Sequence, residues 1–325
     1  MKTPKNRILG KSIKDVLIKR NMSVKQLVDS MRRIGGFSAQ HMVRGIDIVD
    51  EMLNDKQSFN FLSFPADVVA TGLRGTLAHA VKHFDAIVTT GGTPDHDIAR
   101  AFGGTYNLGS FYADDAKLHQ SGIYRLGNVF IRHEDYGLVV EKSFNEIMNA
   151  LYDSKDYKKE YSASELLWEF GKRIRDNDSI LRQAYLHNVP IFNPGILDGA
   201  FGMQLSIFAQ DHEFKLDLIR DELKLSNIGF DHKVTGALMI GGGISKHHVI
   251  WWNQFKGGLD YAVFITTATQ FDGSLSGARL NEAVSWGKVK EKGKYVTIDG
   301  DATVLLPLMF SYLNIAKEGG GSLKR

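Results

Sequence analysis

Short apolar runs recur along the chain, each followed by a polar or glycine turn and then an amphipathic segment. Phe59–Phe64 leads into Thr71–Lys82, and Ala86–Thr90 leads through Gly91-Gly92 into Asp95–Phe102. Val189–Phe192, Ala237–Ile240, Tyr261–Thr266 and Tyr295–Ile298 behave in the same way. Strands of this kind alternating with helices predict a mostly parallel sheet covered on both faces. The expected fold class is α/β: a Rossmann-like, doubly wound sheet with an N-terminal helical extension. Ser23 is placed to cap a helix over Val24–Arg33, and His41–Leu53 also reads as helix. Residues 1–30 form the expected extension, 31–316 a single domain, and 317–325 a flexible glycine-rich tail. The charged, aromatic-rich stretch from Tyr152 to Asp178 reads as a helical excursion from the core.

Ligands in such folds gather beyond the carboxyl ends of the strands. The residues falling there are Gly91-Gly92, Asp198-Gly199, Gly241-Gly242-Gly243, Thr267-Ala268 and Asp301-Ala302. The glycine triplet lies between the run Ala237–Ile240 and a helical stretch, Ser245–Phe255. A strand, a glycine turn and a helix start suit a phosphate, because backbone N–H groups and the helix dipole point at it. The triplet is not the GxGxxG fingerprint, so nucleotide binding and a plain tight turn both stay open here.

Composition narrows the class without naming it. The chain has 325 residues, 43% hydrophobic and 24% charged, as expected of a globular protein with a sizeable core. Forty basic against 37 acidic residues give a formal charge of +3, too little and too evenly spread to argue for nucleic acid. With no cysteine, disulfides, thiolate metal sites and cysteine nucleophiles are excluded. Neither a signal-peptide pattern nor an apolar run long enough to span a bilayer is evident, so a cytoplasmic protein without membrane partners is expected.

The densest candidate chemistry is Glu282-Ala-Val-Ser-Trp286-Gly287-Lys288. On a helix, Glu282 and Trp286 are four apart and share a face, while Gly287 ends the turn and lets Lys288 project. A carboxylate, an indole and an amine suit a polycationic substrate and an imine-forming nucleophile; the plain alternative is an exposed helix end. Lys246, His247 and His248 open the helix after the glycine triplet. Adjacent histidines point about a hundred degrees apart, so they cannot serve one site equally. No third ligand stands at a sensible spacing for zinc.

Four runs stand in order within fifty residues: Gly241-Gly-Gly-Ile-Ser-Lys-His-His248, Gln270-Phe-Asp-Gly-Ser274, Ser276-Gly-Ala-Arg279 and Glu282 to Lys288. In these the chain resembles the deoxyhypusine synthase family, of an archaeal type, from about Gly36 to Phe310. The resemblance implies an NAD-dependent transferase moving the butylamine part of spermidine, through a lysine imine, to one lysine of a translation initiation factor 5A-type protein. It implies Lys288 as the imine-forming lysine and His247 as the general base. Glu282, Trp286, Asp95, His96, Gln204, Gly273, Ser274 and Lys246 are expected around the polyamine. Thr90, Gly91, Gly92, Asp198, Gly241, Gly242, Gly243, Thr267, Ala268, Asp272, Asp301 and Ala302 are expected around NAD. A homotetramer with sites shared between paired subunits is also implied.

Several positions depart from eukaryotic members: Asp95-His96 replaces two consecutive glutamates, Met203 and Leu275 replace acidic residues, and Trp251-Trp252 stands where smaller side chains are usual. Two further readings stay open: a transferase that uses a free diamine as acceptor, and a non-catalytic NAD-binding module.

Overall fold

The computed structural model describes residues 12–315. Residues 1–11 of the expected extension, and the glycine-rich tail, lie outside the described residues. The strands are β1 (Ser58–Ser63), β2 (Ala86–Val88), β3 (Tyr106–Leu108), β4 (Ile123–Leu126), β5 (Val129–Arg132), β6 (Glu160–Tyr161), β7 (Ile191–Phe192), β8 (Lys215–Leu216), β9 (Val234–Ile240), β10 (Leu259–Thr266) and β11 (Val289–Asp299).

Six of them build one parallel sheet in the order β11-β10-β9-β1-β2-β7. Their apolar runs are continuous because successive residues enter two different cores. Leu62, Leu238, Ile240, Val263, Ile265 and Ile298 face one core. Phe61, Ala237, Met239, Ala262 and Phe264 face the other. The first core is closed by Phe37–Asn54, Gly137–Tyr152, Ala163–Arg173, Ile180–His187, Ala200–Asp211 and Ala302–Tyr312. Leu218–Asp231, Ile244–Gln254 and Leu280–Ser285 close the second. The sheet is thus covered on both faces, as the apolar blocks predict.

From β1 the chain winds to β2 and β7, then returns to β9 on the other side of β1 and continues to β10 and β11. The winding reverses between β1 and β9, and there the loops leaving the two strands diverge and open a crevice. At the amino end, Ser23 and Gln26 make a reciprocal capping box on helix Val24–Ile34, where the sequence places a cap.

Two features differ from expectation. Residues 106–132 carry a small antiparallel sheet, β3-β5-β4, absent from the reading of apolar blocks. Its strands are short and half-exposed, so no continuous apolar run marks them. The stretch 152–178 is no excursion: Ala163–Arg173 buries Leu166, Leu167 and Phe170 in the main core. Its charges lie on the helix's other face, which makes the segment look detached in sequence.

Candidate active site

The switch point carries a cleft of about 830 Å³, within the range that holds cofactors. Its walls are the carboxyl ends of the strands: Pro65 and Asp67 after β1, Gly241 and Gly242 after β9, Thr267 and Ala268 after β10, Asp301 and Ala302 after β11. Phe111, Leu126 and Val129 of the antiparallel unit close one side. A Cβ on Gly242 would lie 2.1 Å from the Cα of Ser276, so only glycine lets the segment 274–279 pass. Helix Ile244–Gln254 begins at Gly243 with no side-chain cap, leaving its first amides to a ligand.

A second cluster is built on that helix and on the turn before β11. Leu280–Ser285 ends one residue before Trp286, and Gly287 takes a left-handed φ of 67°. The N–H of Gly287 bonds the carbonyl of Val284 at 2.9 Å, and that of Lys288 bonds Ala283 at 2.9 Å. This pair of bonds is a Schellman closure, which fixes where Lys288 leaves the turn. Trp286 is the C-cap residue of that helix, four residues after Glu282, and both side chains are exposed.

Lys288 is only 8% exposed. Its Nζ lies 3.3 Å from Nε2 of His247. It is also 5.1 Å from the ring centre of Trp286 and 5.6 Å from that of Trp251. Burial, then the ammonium of Lys288, pushes the His247 pKa below its ordinary value, so the imidazole is neutral near pH 7. His248 points elsewhere, with its Nε2 3.1 Å from Glu222 Oε2, so the two histidines divide as their helical spacing requires. Glu282 is exposed in the first turn of its helix, and its charge acts on the buried Lys246.

Other expected residues have different surroundings. Lys246 is 1% exposed, and its Nζ donates to the carbonyls of Leu275 at 2.8 Å and Ala278 at 2.5 Å. Burial lowers its pKa to about 8, and it anchors segment 275–278 rather than facing a substrate. Asp95 is fully buried and accepts from Tyr136 Oη and from the N–H groups of Ala200 and Phe201, each at 2.8 Å. Its carboxylate caps helix Ala200–Asp211 and has no free face for an amine, despite a pKa raised by burial. His96, with Nδ1 2.8 Å from Tyr106 Oη and a pKa pushed by burial to about 4, is buried beside it. Gln204 is buried within the capped helix.

Thr90, Gly91, Gly92 and Asp198 sit beyond β2 and β7 rather than in the cleft. There Thr90 Oγ1 accepts from Ala66 N at 2.9 Å, and a Cβ on Gly91 would lie 2.2 Å from the carbonyl of Asp198. Asp272, Gly273 and Ser274 form an exposed turn in which Asp272 Oδ1 accepts from Ser274 N at 2.8 Å. Neither Lys288 nor His247 lines the cleft, so one chain presents two separate assemblies. Trp251, Pro65 and Asp67 were missed as site residues. Their signals were present: Trp251 stands one turn after His247, and the other two directly follow a strand end.

The deoxyhypusine synthase family model matches residues 26–313. A "Probable deoxyhypusine synthase" of Picrophilus torridus is 50% identical over 308 residues, covering 94% of this chain and 97% of the relative. One of the same description from Sulfurisphaera tokodaii is 48% identical, covering 94% and 98%. A crystal structure from Entamoeba histolytica, provisionally assigned as a deoxyhypusine synthase, shares the fold with a TM-score of 0.64 at 22% identity, covering 90% of this chain and 93% of that one.

Proposed function

This chain belongs to the deoxyhypusine synthase family, and from that premise we propose that it moves the butylamine unit of spermidine to one lysine of a translation initiation factor 5A-type protein. The observation that carries the proposal is the buried Lys288 Nζ, 3.3 Å from a histidine nitrogen that is neutral near pH 7. A lysine so held can pass its proton to the imidazole and act as a nucleophile.

The switch-point cleft fits NAD in its size, its glycine walls and its uncapped helix start, and in the carboxylates of Asp67 and Asp301 available to ribose hydroxyls. Gly241, Gly242, Thr267, Ala268, Asp301 and Ala302 would hold the dinucleotide. When bound, it supplies hydride uptake from the amine carbon and hydride return, chemistry that no side chain can perform. Once the substrate's secondary amine has become an imine, Nζ of Lys288 adds to its carbon and 1,3-diaminopropane leaves. The butylamine unit is then an imine on Lys288. The acceptor lysine attacks the same carbon and frees Lys288, and His247 Nε2 takes and gives the protons. The aromatic walls keep out water, which would hydrolyse the imine.

In one chain the cleft and Lys288 are separate, while Trp286 and Glu282 face solvent. This supports a complete site that forms between paired subunits of a homo-oligomer, with Glu282 serving the amine across the interface.

The test is intact-mass spectrometry of an acceptor factor incubated with the protein, NAD and spermidine. The expected result is one aminobutyl increment on the acceptor, absent with Lys288→Ala. Homospermidine formed from added putrescine, with no increment on the factor, would instead assign a small-amine transferase. Formation of neither product would defeat the proposal.

A further inference from the structure

Trp251 lies in helix Ile244–Gln254, one turn after His247, with the two ring centres 5.6 Å apart and tilted by 32°. Phe255, one turn further, meets its indole edge-on at 5.6 Å and 90°. The neighbouring Trp252 points to another partner, donating its Nε1–H to Glu222 at 2.8 Å. Trp251 and Trp286 therefore stand on two separate elements with the Lys288 nitrogen within 6 Å of both rings. Each keeps an exposed part, 39% and 61%, toward whatever enters.

Among the described residues no carboxylate pairs with Lys288 Nζ; His247 is its hydrogen-bond partner. A carboxylate there would fix the nitrogen as an ammonium and oppose its attack on an imine carbon. An indole face attracts a cation less strongly than a carboxylate and makes no fixed hydrogen bond to Nζ, so it does not hold the nitrogen in one direction. Once the imine has formed on Lys288, its protonated form is planar and cationic, and suits a place between two aromatic faces.

We propose that Trp251 is the second wall of this site, bracketing with Trp286 the iminium formed on Lys288 and keeping water from its carbon. The proposal rests on the imine chemistry of the preceding section. The failure it prevents is hydrolysis. Water adds to the iminium carbon, the bond from that carbon to Nζ breaks, both protons of the water pass to Nζ, and 4-aminobutanal leaves. No electron is transferred in that step.

The experiment uses the full chain with NAD and spermidine and without acceptor protein. Adduct on Lys288 is trapped with borohydride and mapped by mass, and released aminobutanal is measured in the same samples. Trp251→Ala is expected to raise the ratio of released aldehyde to trapped adduct by about fivefold or more, the scale of a lost cation–π wall. Trp251→Phe, which keeps an aromatic face, should stay within about twofold of wild type. A parallel arm adds butanal and cyanoborohydride, so that Lys288 is alkylated without any amine oxidation. There Trp251→Ala should lower Lys288 labelling at limiting butanal, while labelling of exposed lysines stays constant.

Unchanged ratios and unchanged butanal labelling in Trp251→Ala would overturn the proposal. If wild type forms no adduct from spermidine but shows the Trp251-dependent butanal labelling, the wall stands and the spermidine reading falls.

Discussion

In the proposed reaction Lys288 and His247, 3.3 Å apart, work as a pair only while the imidazole is neutral. The depressed His247 pKa keeps it so, and protonation as pH falls removes the base. The acid limb of kcat/KM is therefore expected below the ordinary histidine value of about 6.5, read from initial rates across pH. A limb centred above that value would assign the base to another group. At the other assembly, Gly242→Ala drives a Cβ into the backbone of Ser276, 2.1 Å away. Moving that segment costs about 1–3 kcal/mol, so NAD binding should weaken roughly tenfold, measured by equilibrium titration. An unchanged Kd would remove the glycine triplet from the cofactor site. Single residues were legible where chemistry and local geometry coincide, as at the turn that ends in Lys288. Asp95, His96, Gln204 and Lys246 were not, because their burial is set by segments distant in sequence, such as Ala200–Phe201 and Leu275–Ala278.

Between elements, one buried carboxylate does much of the joining. Asp97 of helix Gly92–Ala101 accepts from Arg74 Nε at 2.6 Å, Ser179 Oγ at 2.7 Å, Ile180 N at 3.1 Å and Leu181 N at 2.9 Å. It thus ties the helix that follows β2 to the helices carrying Arg74 and Ile180. Asp97→Ala leaves the buried Arg74 guanidinium with Asp176, at 2.8 Å, as its remaining carboxylate partner and should cost about 3 kcal/mol in denaturant titration. The pair Asp97→Leu with Arg74→Leu should cost less than the sum of its single changes, since neither of these two buried charges is then left without the other, and the part-exposed Asp176 can turn to water. Additive losses would show that the pair is not coupled. Helices and long strands were legible because period and caps are local signals: Val24–Ile34 starts at its expected cap, and β9 and β10 end where the apolar runs end. The antiparallel unit at 106–132 was not, since its half-exposed strands acquire their pattern only by pairing with each other.

For the whole molecule, the second face of the sheet leaves large apolar groups uncovered. Ile219, Leu223 and Phe230 on Leu218–Asp231, and Ile244, Trp251 and Phe255 on the next helix, are exposed along with Trp286. Such a surface favours association. Light scattering should return a mass near four times 36.3 kDa, and Leu223→Glu with Phe255→Glu should lower both that mass and the activity. A stable, active monomer would defeat the shared-site proposal. No helix of the described residues is long and apolar enough to cross a membrane.

By itself the sequence determined the periodic elements, the parallel class of the sheet and the positions of the reactive types: a lysine after a glycine-closed turn, a histidine in the first turn of a helix, glycines at strand ends. These follow from short-range sterics, capping and the rule that buried strands are apolar on both faces. Tertiary structure alone decided that the winding reverses between β1 and β9, which opens the cleft. It also decided that Lys288 lies between two indoles rather than among carboxylates, and that Asp95 caps a helix. Those outcomes depend on which distant segments are brought within hydrogen-bonding or van der Waals range, and no local pattern encodes that distance.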